Sequence, residues 1–185
     1  MGSTIILDPY DVWRLTAGLQ VSFEALLQDK LELNLVEGII LPNMKTSGEN
    51  ERCGFLNGEG RCSIHALRPG FCRIFPLGRF YENHSFQYFL QVHECPREPK
   101  LKVKVQKWID TPDLKRNEKF IIDWHYFLKD VTARLGEQNG EQYQKMIDLY
   151  ILKSFYQEEW EKDRDFYEQF DERLTKAKGI LKISG

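Results

Sequence analysis

Residues 62–76 have the sequence CSIHALRPGFCRIFP, and this stretch organises the N-terminal half of the chain. Two cysteines, Cys62 and Cys72, enclose an Arg-Pro-Gly break, and a second proline, Pro76, follows closely. Proline fixes the backbone and removes a hydrogen-bond donor, so long regular elements are not expected at this point. We therefore expect an irregular segment in which the cysteines lie beside turns.

The cysteines form the most informative pattern in the chain, with the spacing Cys53-x8-Cys62-x9-Cys72-x22-Cys95. A reducing cytoplasm disfavours structural disulfides, so a cluster of thiols needs another explanation. Thiolates delivered from the ends of loops can converge on one metal ion. The spacing lacks the common C-x2-C hook, however, and free cysteines are often simply buried. A shared metal site and four unrelated buried thiols both remain open on spacing alone.

Length and charge narrow the class of protein. The chain has 185 residues and a formal net charge of -2, which fits one domain of ordinary size with or without a helical appendage. A nearly neutral chain has little electrostatic attraction for nucleic acid or for an anionic membrane. The apolar runs are too short to span a bilayer, and no secretory signal opens the sequence. We expect a cytoplasmic protein without nucleic-acid or membrane partners, and a protein partner stays open.

The N-terminal half contains signals for short elements. Asp8-Pro9 supplies an N-cap and a first-turn proline, and Ser22 starts a second helix. Residues 31–42 alternate apolar and polar side chains around a Glu-Gly turn, which predicts a β-hairpin. Residues 57–60 are the turn of a second, short hairpin between two cysteines, and the aromatic run 85–92 is typical of a strand.

Helical periodicity dominates the C-terminal half. It predicts helices over residues 111–135, 141–156 and 159–178. The predicted fold class is therefore α+β, with an irregular, cysteine-centred half that contains short β-hairpins and packs with C-terminal α-helices. We place the cysteine-cluster metal-binding region in residues 1–105 and a helical extension that packs on it in residues 106–185.

Several short motifs of this chain resemble those of the YkgJ-type cysteine-cluster family, whose members are described as zinc- or iron-chelating proteins. The resemblance covers roughly residues 4–96, and its Arg-Pro-x-x-Cys-Arg core is fairly specific. It implies a metal site built from the cysteines of these motifs. The segments that carry it are Leu7–Leu15 (LDPYDVWRL), Cys53–Leu56 (CGFL), Cys62–His65 (CSIH), Arg68–Pro76 (RPGFCRIFP) and Cys95.

The chain departs from the family pattern at its start. Members usually carry a tight C-x2-C-x2-C-C-like cluster just before the helix that begins with Asp-Pro-Tyr. Here the residues before that helix, from Met1 to Leu7, include no cysteine. Two interpretations remain open: a divergent member with a reduced site, or a sequence from which an N-terminal piece is missing.

Four thiolates suit Zn²⁺ in a closed tetrahedral site or an iron–sulfur cluster, and the sequence does not separate the two. Four thiolates around Zn²⁺ carry a formal charge of about -2, which the guanidinium groups of Arg68 and Arg73 beside Cys72 would offset. His65 and His93 lie close to cysteines in sequence and could replace a ligand or donate to a sulfur. An ordinary surface or strand histidine is the competing interpretation for each.

Two other functions compete with metal binding. The family domain also occurs in proteins similar to flagellin lysine N-methylases, which implies a protein-modifying enzyme as an alternative. No Gly-rich loop for a dinucleotide or for S-adenosylmethionine follows a strand in the sequence. A metal-free interaction module would instead use the aromatic stripe of the C-terminal helices, although helix packing explains that stripe equally well. Its members are Tyr143, Tyr150, Phe155, Tyr156, Trp160, Phe166, Tyr167 and Phe170.

Overall fold

A computed structural model describes residues 5–48, 52–92, 102–137 and 140–183. The fold is α+β, as predicted: two short helices and three two-stranded antiparallel sheets precede a set of longer helices. Within the described ranges, every helix is too short or too polar to cross a membrane.

The chain starts with helices α1 (Pro9–Leu19) and α2 (Phe23–Asp29). Both predicted caps are confirmed, because the side chain of Ser22 accepts a hydrogen bond in the first turn of α2 and Asp8 does so in α1. Asp8 accepts from the Asp11 N–H at 2.8 Å, and the Asp11 carboxylate accepts from the Asp8 N–H at 3.4 Å. This reciprocal pair is a capping box, which satisfies two backbone donors at the helix start.

Strands β1 (Leu31–Val36) and β2 (Ile39–Met44) form the predicted hairpin. The two turn residues, Glu37 and Gly38, have φ angles of 48° and 88°. Positive φ at both central positions is the geometry of a type I′ turn, whose twist matches the twist of the flanking strands. Glycine takes the second of these positions without steric cost.

The cysteine segment contains only short elements before its one full hairpin. Strands β3 (Thr46–Ser47) and β4 (Arg52–Cys53) pair antiparallel, and α3 (Gly70–Ile74) is a helix of 5 residues. Strands β5 (Leu77–Glu82) and β6 (Ser85–Leu90) form the hairpin, and β6 confirms the predicted strand. The short helix was not predicted: the Arg-Pro-Gly break indicates only an interruption, whereas proline here precedes a helical turn.

The C-terminal half is helical, as predicted. Its elements are α4 (Val105–Ile109), α5 (Leu114–Glu137), α6 (Glu141–Leu152), a π-helical segment (Lys153–Gln157) and α7 (Phe166–Leu181). The π-helical segment continues α6 to Gln157. The predicted second helix, residues 141–156, ends one residue earlier.

Helix α7 begins later than the predicted start at residue 159. Its N-cap is Asp165, whose side chain accepts a hydrogen bond from the Glu168 N–H at 3.0 Å. The residues before the cap form a loop around Trp160, and the Arg173 guanidinium lies 3.8 Å from the centre of that ring. The cap and this cation–π contact account for the start of α7 at Phe166. The pattern of charged residues in the sequence does not reveal this start.

One hydrophobic core draws side chains from both halves of the chain. The Tyr156 hydroxyl donates to the Leu7 carbonyl at 3.0 Å, and the Asp148 carboxylate accepts from the Ile40 N–H at 2.9 Å. The C-terminal helices therefore pack directly on the N-terminal elements. The striped aromatic residues largely face this core, where four of them are buried: Phe155, Tyr156, Phe166 and Phe170.

Candidate metal centre

Cys53 and Cys62 are held by a small antiparallel arrangement. Cys53 ends β4 opposite Thr46, and Cys62 forms an isolated bridge with Leu56. The side chain of Asn57 accepts from the backbone N–H groups of residues 59 and 61, at 3.0 and 2.9 Å. An asparagine that bonds its own turn in this way stabilises the reversal of the chain. The predicted hairpin between the two cysteines is confirmed.

Cys72 lies in α3, and helix α1 holds the segment that leads to it. The Arg14 guanidinium donates to the Ala66 carbonyl, and the Gly70 N–H donates to Asp11 Oδ1 at 2.7 Å. Asp11 and Arg14 are three positions apart on α1 and therefore share one face of the helix. The start of α3 is thus fixed to α1 rather than to its sequence neighbours.

The three described cysteines come from β4, a loop and α3. All are half-buried free thiols. Burial, followed by the negative charges of Asp11, Cys53 and Cys62, raises the pKa of the Cys72 thiol to about 12, and the positive charge of Arg68 opposes this rise. Joint ligation of one metal ion by these cysteines stays a prediction.

The arrangement does not form a complete ligand cage. Among the residues that the structure describes, no three His, Cys, Asp or Glu side chains are placed to hold an ion. The predicted ligand Cys95 and the predicted supporting residue His93 lie outside the described residues. The donor chemistry nevertheless fits zinc or iron, because soft thiolates favour these metals over magnesium or calcium.

The other predicted supporting residues occupy different surroundings. His65 is exposed in a 3-10 helix (His65–Leu67). Arg68 is half-buried, and its positive charge partly opposes the rise in the pKa of the Cys72 thiol. Arg73 is buried and donates to the carbonyls of Asp110 at 3.1 Å and Arg68 at 3.2 Å. The Arg73 guanidinium therefore donates to backbone carbonyl groups. A supporting role toward a metal stays a prediction for His65, Arg68 and Arg73.

A small cavity lies among α1, α3, α4, α5 and β5. Its volume is about 10 Å³, which is room for about one water molecule. Carboxylates and guanidinium groups line it together, among them Asp8, Asp11, Arg73 and Arg79. The sequence did not single out Asp11 or Arg79. The Asp-x-x-Asp spacing of the capping box was the one local signal that could have drawn attention to Asp11.

The carboxyl groups of Asp8 and Asp11 titrate at unusually high pH. Burial raises the pKa of Asp8 to about 6, against the opposing charges of Arg79 and Arg14. Burial and the neighbouring charge of Asp8 raise the pKa of Asp11 well above its usual range. Because the pKa of Asp8 is higher in the folded than in the unfolded chain, its contribution to stability is complete below about pH 4 and is lost as the pH rises through about 6.

Replacing Asp8 with asparagine should remove this pH dependence. Asparagine is also a good N-cap, so α1 keeps its start while the buried charge is absent. Between pH 5 and pH 7, the free energy of unfolding of the parent should fall by about 1 kcal/mol relative to that of Asp8→Asn. Urea denaturation of both proteins at several pH values measures the difference. A difference that stays constant over this range would contradict the raised pKa.

Comparison with known proteins gives one match. No curated protein and no solved structure matches the chain. The model of the CxxCxxCC family, described as a putative zinc- or iron-chelating domain, matches residues 5–96. The match spans the α1 helix and every cysteine of the chain. Residues 5–96 are therefore identified as a CxxCxxCC-family domain, in agreement with the resemblance seen in the sequence.

Proposed function

We propose that this is a metal-binding protein that holds zinc or an iron–sulfur cluster through Cys53, Cys62, Cys72 and Cys95. The observation that carries the proposal is the confinement of all four cysteines to residues 53–95, where the three described ones are half-buried free thiols. The family match adds support, since it describes zinc or iron chelation. Four thiolates would leave no open position on zinc, which is typical of a structural site, whereas an iron–sulfur cluster could transfer electrons.

The local structure gives the metal a role in folding. The cysteine segment before β5 contains strands of 2 residues and a helix of 5, joined by turns and loops. A metal that joins such short elements supplies folding free energy directly, because the site does not exist in the unfolded chain. We propose that metal binding orders this segment on α1.

A cytoplasmic location belongs to the same proposal. Cys53, Cys62 and Cys72 are free thiols, and the cytoplasm keeps thiols reduced and available to a metal. The net charge of -2 gives no basis for a nucleic-acid partner, so none is proposed.

Anaerobic purification followed by metal analysis and visible spectroscopy tests the proposal. We expect either about one zinc ion per chain and no colour, or iron with sulfide and a brown colour. Removal of the metal by a chelator should lower the midpoint of thermal unfolding. A metal-free protein whose cysteines all react with a thiol reagent while the fold persists would contradict the proposal, and would favour the interaction module.

A further inference from the structure

Asp11 connects the first helix to the segment that carries Cys72. Its side chain is only 3% exposed, and Oδ1 accepts from the Gly70 N–H at 2.7 Å across 59 positions of sequence. Gly70 is the first residue of α3, and the residue before it, Pro69, has no side-chain acceptor to cap the helix. The Asp11 oxygen is therefore the acceptor at this helix start, and a backbone N–H that loses its partner costs stability.

This hydrogen bond acts directly on the position of a proposed ligand. Cys72 follows Gly70 by two residues within one short helix, so less than one helical turn separates the fixed amide from the sulfur. A β-carbon placed on Gly70 would lie 3.7 and 3.8 Å from the Asp11 carboxylate oxygens and 3.9 Å from Arg79 Nη2. These are ordinary contact distances, so the start of α3 lies directly beside both side chains.

We infer that Asp11 is a positioning residue of the proposed metal centre, whose carboxyl group fixes the Gly70 amide and thereby fixes the short helix that carries Cys72. This inference rests on the proposed metal centre and assigns Asp11 no direct bond to the ion. Groups that orient metal ligands from outside the coordination sphere typically contribute about 10- to 100-fold to metal affinity.

The test uses Co²⁺ added to the metal-free full-length protein, with sulfur-to-cobalt charge-transfer absorption as the readout. Asp11→Ala should weaken Co²⁺ binding about 10- to 100-fold. Asp11→Asn keeps an oxygen that can accept from Gly70, so its affinity should stay much closer to the parent. If Asp11→Ala does not fold, Asp11→Ser replaces it, because the shorter side chain cannot reach the amide.

Asp148 provides a matched control. It is also a buried aspartate, 4% exposed, that accepts a backbone N–H from another element, at 2.9 Å from Ile40 N. Asp148→Ala should lower stability, because the Ile40 N–H loses its acceptor. It should keep the parental Co²⁺ affinity and absorption spectrum. Equal affinity of Asp11→Ala and the parent, or equal losses in Asp11→Ala and Asp148→Ala, would overturn the positioning role.

A separate readout distinguishes failure of this inference from failure of the proposed function. If the parent itself binds neither Co²⁺ nor any purified metal, the proposed function is wrong and Asp11 positions no metal centre. If the parent binds metal, the metal-free proteins report on the same contact: alkylation of Cys72, located by mass spectrometry, should be faster in Asp11→Ala than in the parent or in Asp148→Ala. Equal alkylation rates would show that Asp11 does not hold Cys72.

Discussion

Replacing Cys72 with serine is expected to remove most of the bound metal and to lower the midpoint of thermal unfolding. A serine hydroxyl stays protonated at neutral pH and is a poor ligand for a soft site. The metal affinity should fall by more than about 100-fold, because losing even an outer-shell partner costs about 10- to 100-fold. Elemental analysis and thermal denaturation of the purified variant measure both effects.

Two controls separate metal loss from ordinary destabilisation. Ser63→Ala removes the hydroxyl that donates to the Phe55 carbonyl at 2.8 Å in the same segment, but leaves every thiol in place. It should retain the parental metal content. Parent protein stripped by a chelator should unfold near the temperature of Cys72→Ser, since the metal carries the difference. A Cys72→Ser protein with parental metal content would show that Cys72 is not a ligand.

Replacing Phe127 with alanine should cost about 3–5 kcal/mol of unfolding free energy. Phe127 is fully buried, and its ring lies 5.6 Å from the Trp124 ring and 5.7 Å from the Phe155 ring, between centroids. The cavity left by this truncation lies inside a core shared by both halves of the chain. We therefore expect one cooperative transition at lower denaturant concentration, with the same midpoint by circular dichroism and by tryptophan fluorescence.

Phe80→Ala is the matched control, because this phenylalanine is 60% exposed on β5. The same chemical change there should alter stability by no more than about 0.5 kcal/mol. If Phe127→Ala instead unfolds in two steps, and one step keeps the parental midpoint, the helices of residues 106–185 form a folding unit separate from residues 1–105. That result would contradict a single cooperative core.

Local chemistry explains which elements the sequence predicts well. Asp8-Pro9 and Ser22 are caps that act within one helical turn, and the Glu37-Gly38 turn needs only two residues that tolerate positive φ. Each of these signals is complete within a few positions of sequence. The hairpin between Cys53 and Cys62 is equally local, since its turn is stabilised by a side chain of the turn itself.

Contacts between distant residues explain what the sequence does not predict. The first N–H of α3 donates to a carboxyl group 59 positions away, and the Arg173 guanidinium in α7 lies over the Trp160 ring in the loop before that helix. The same limit applies to the site. Cysteine spacing and family resemblance point to the cysteines, but only the fold reveals that Asp11 accepts from the first N–H of the helix that carries Cys72.

The most direct measurement is X-ray absorption at the edge of whichever metal the purified protein carries. The proposed centre predicts a first shell made of sulfur, at about 2.3 Å if the metal is zinc. The Cys72→Ser variant, reloaded with the same metal, should lose sulfur neighbours or fail to bind. A parental first shell made only of oxygen and nitrogen would contradict ligation by the cysteines.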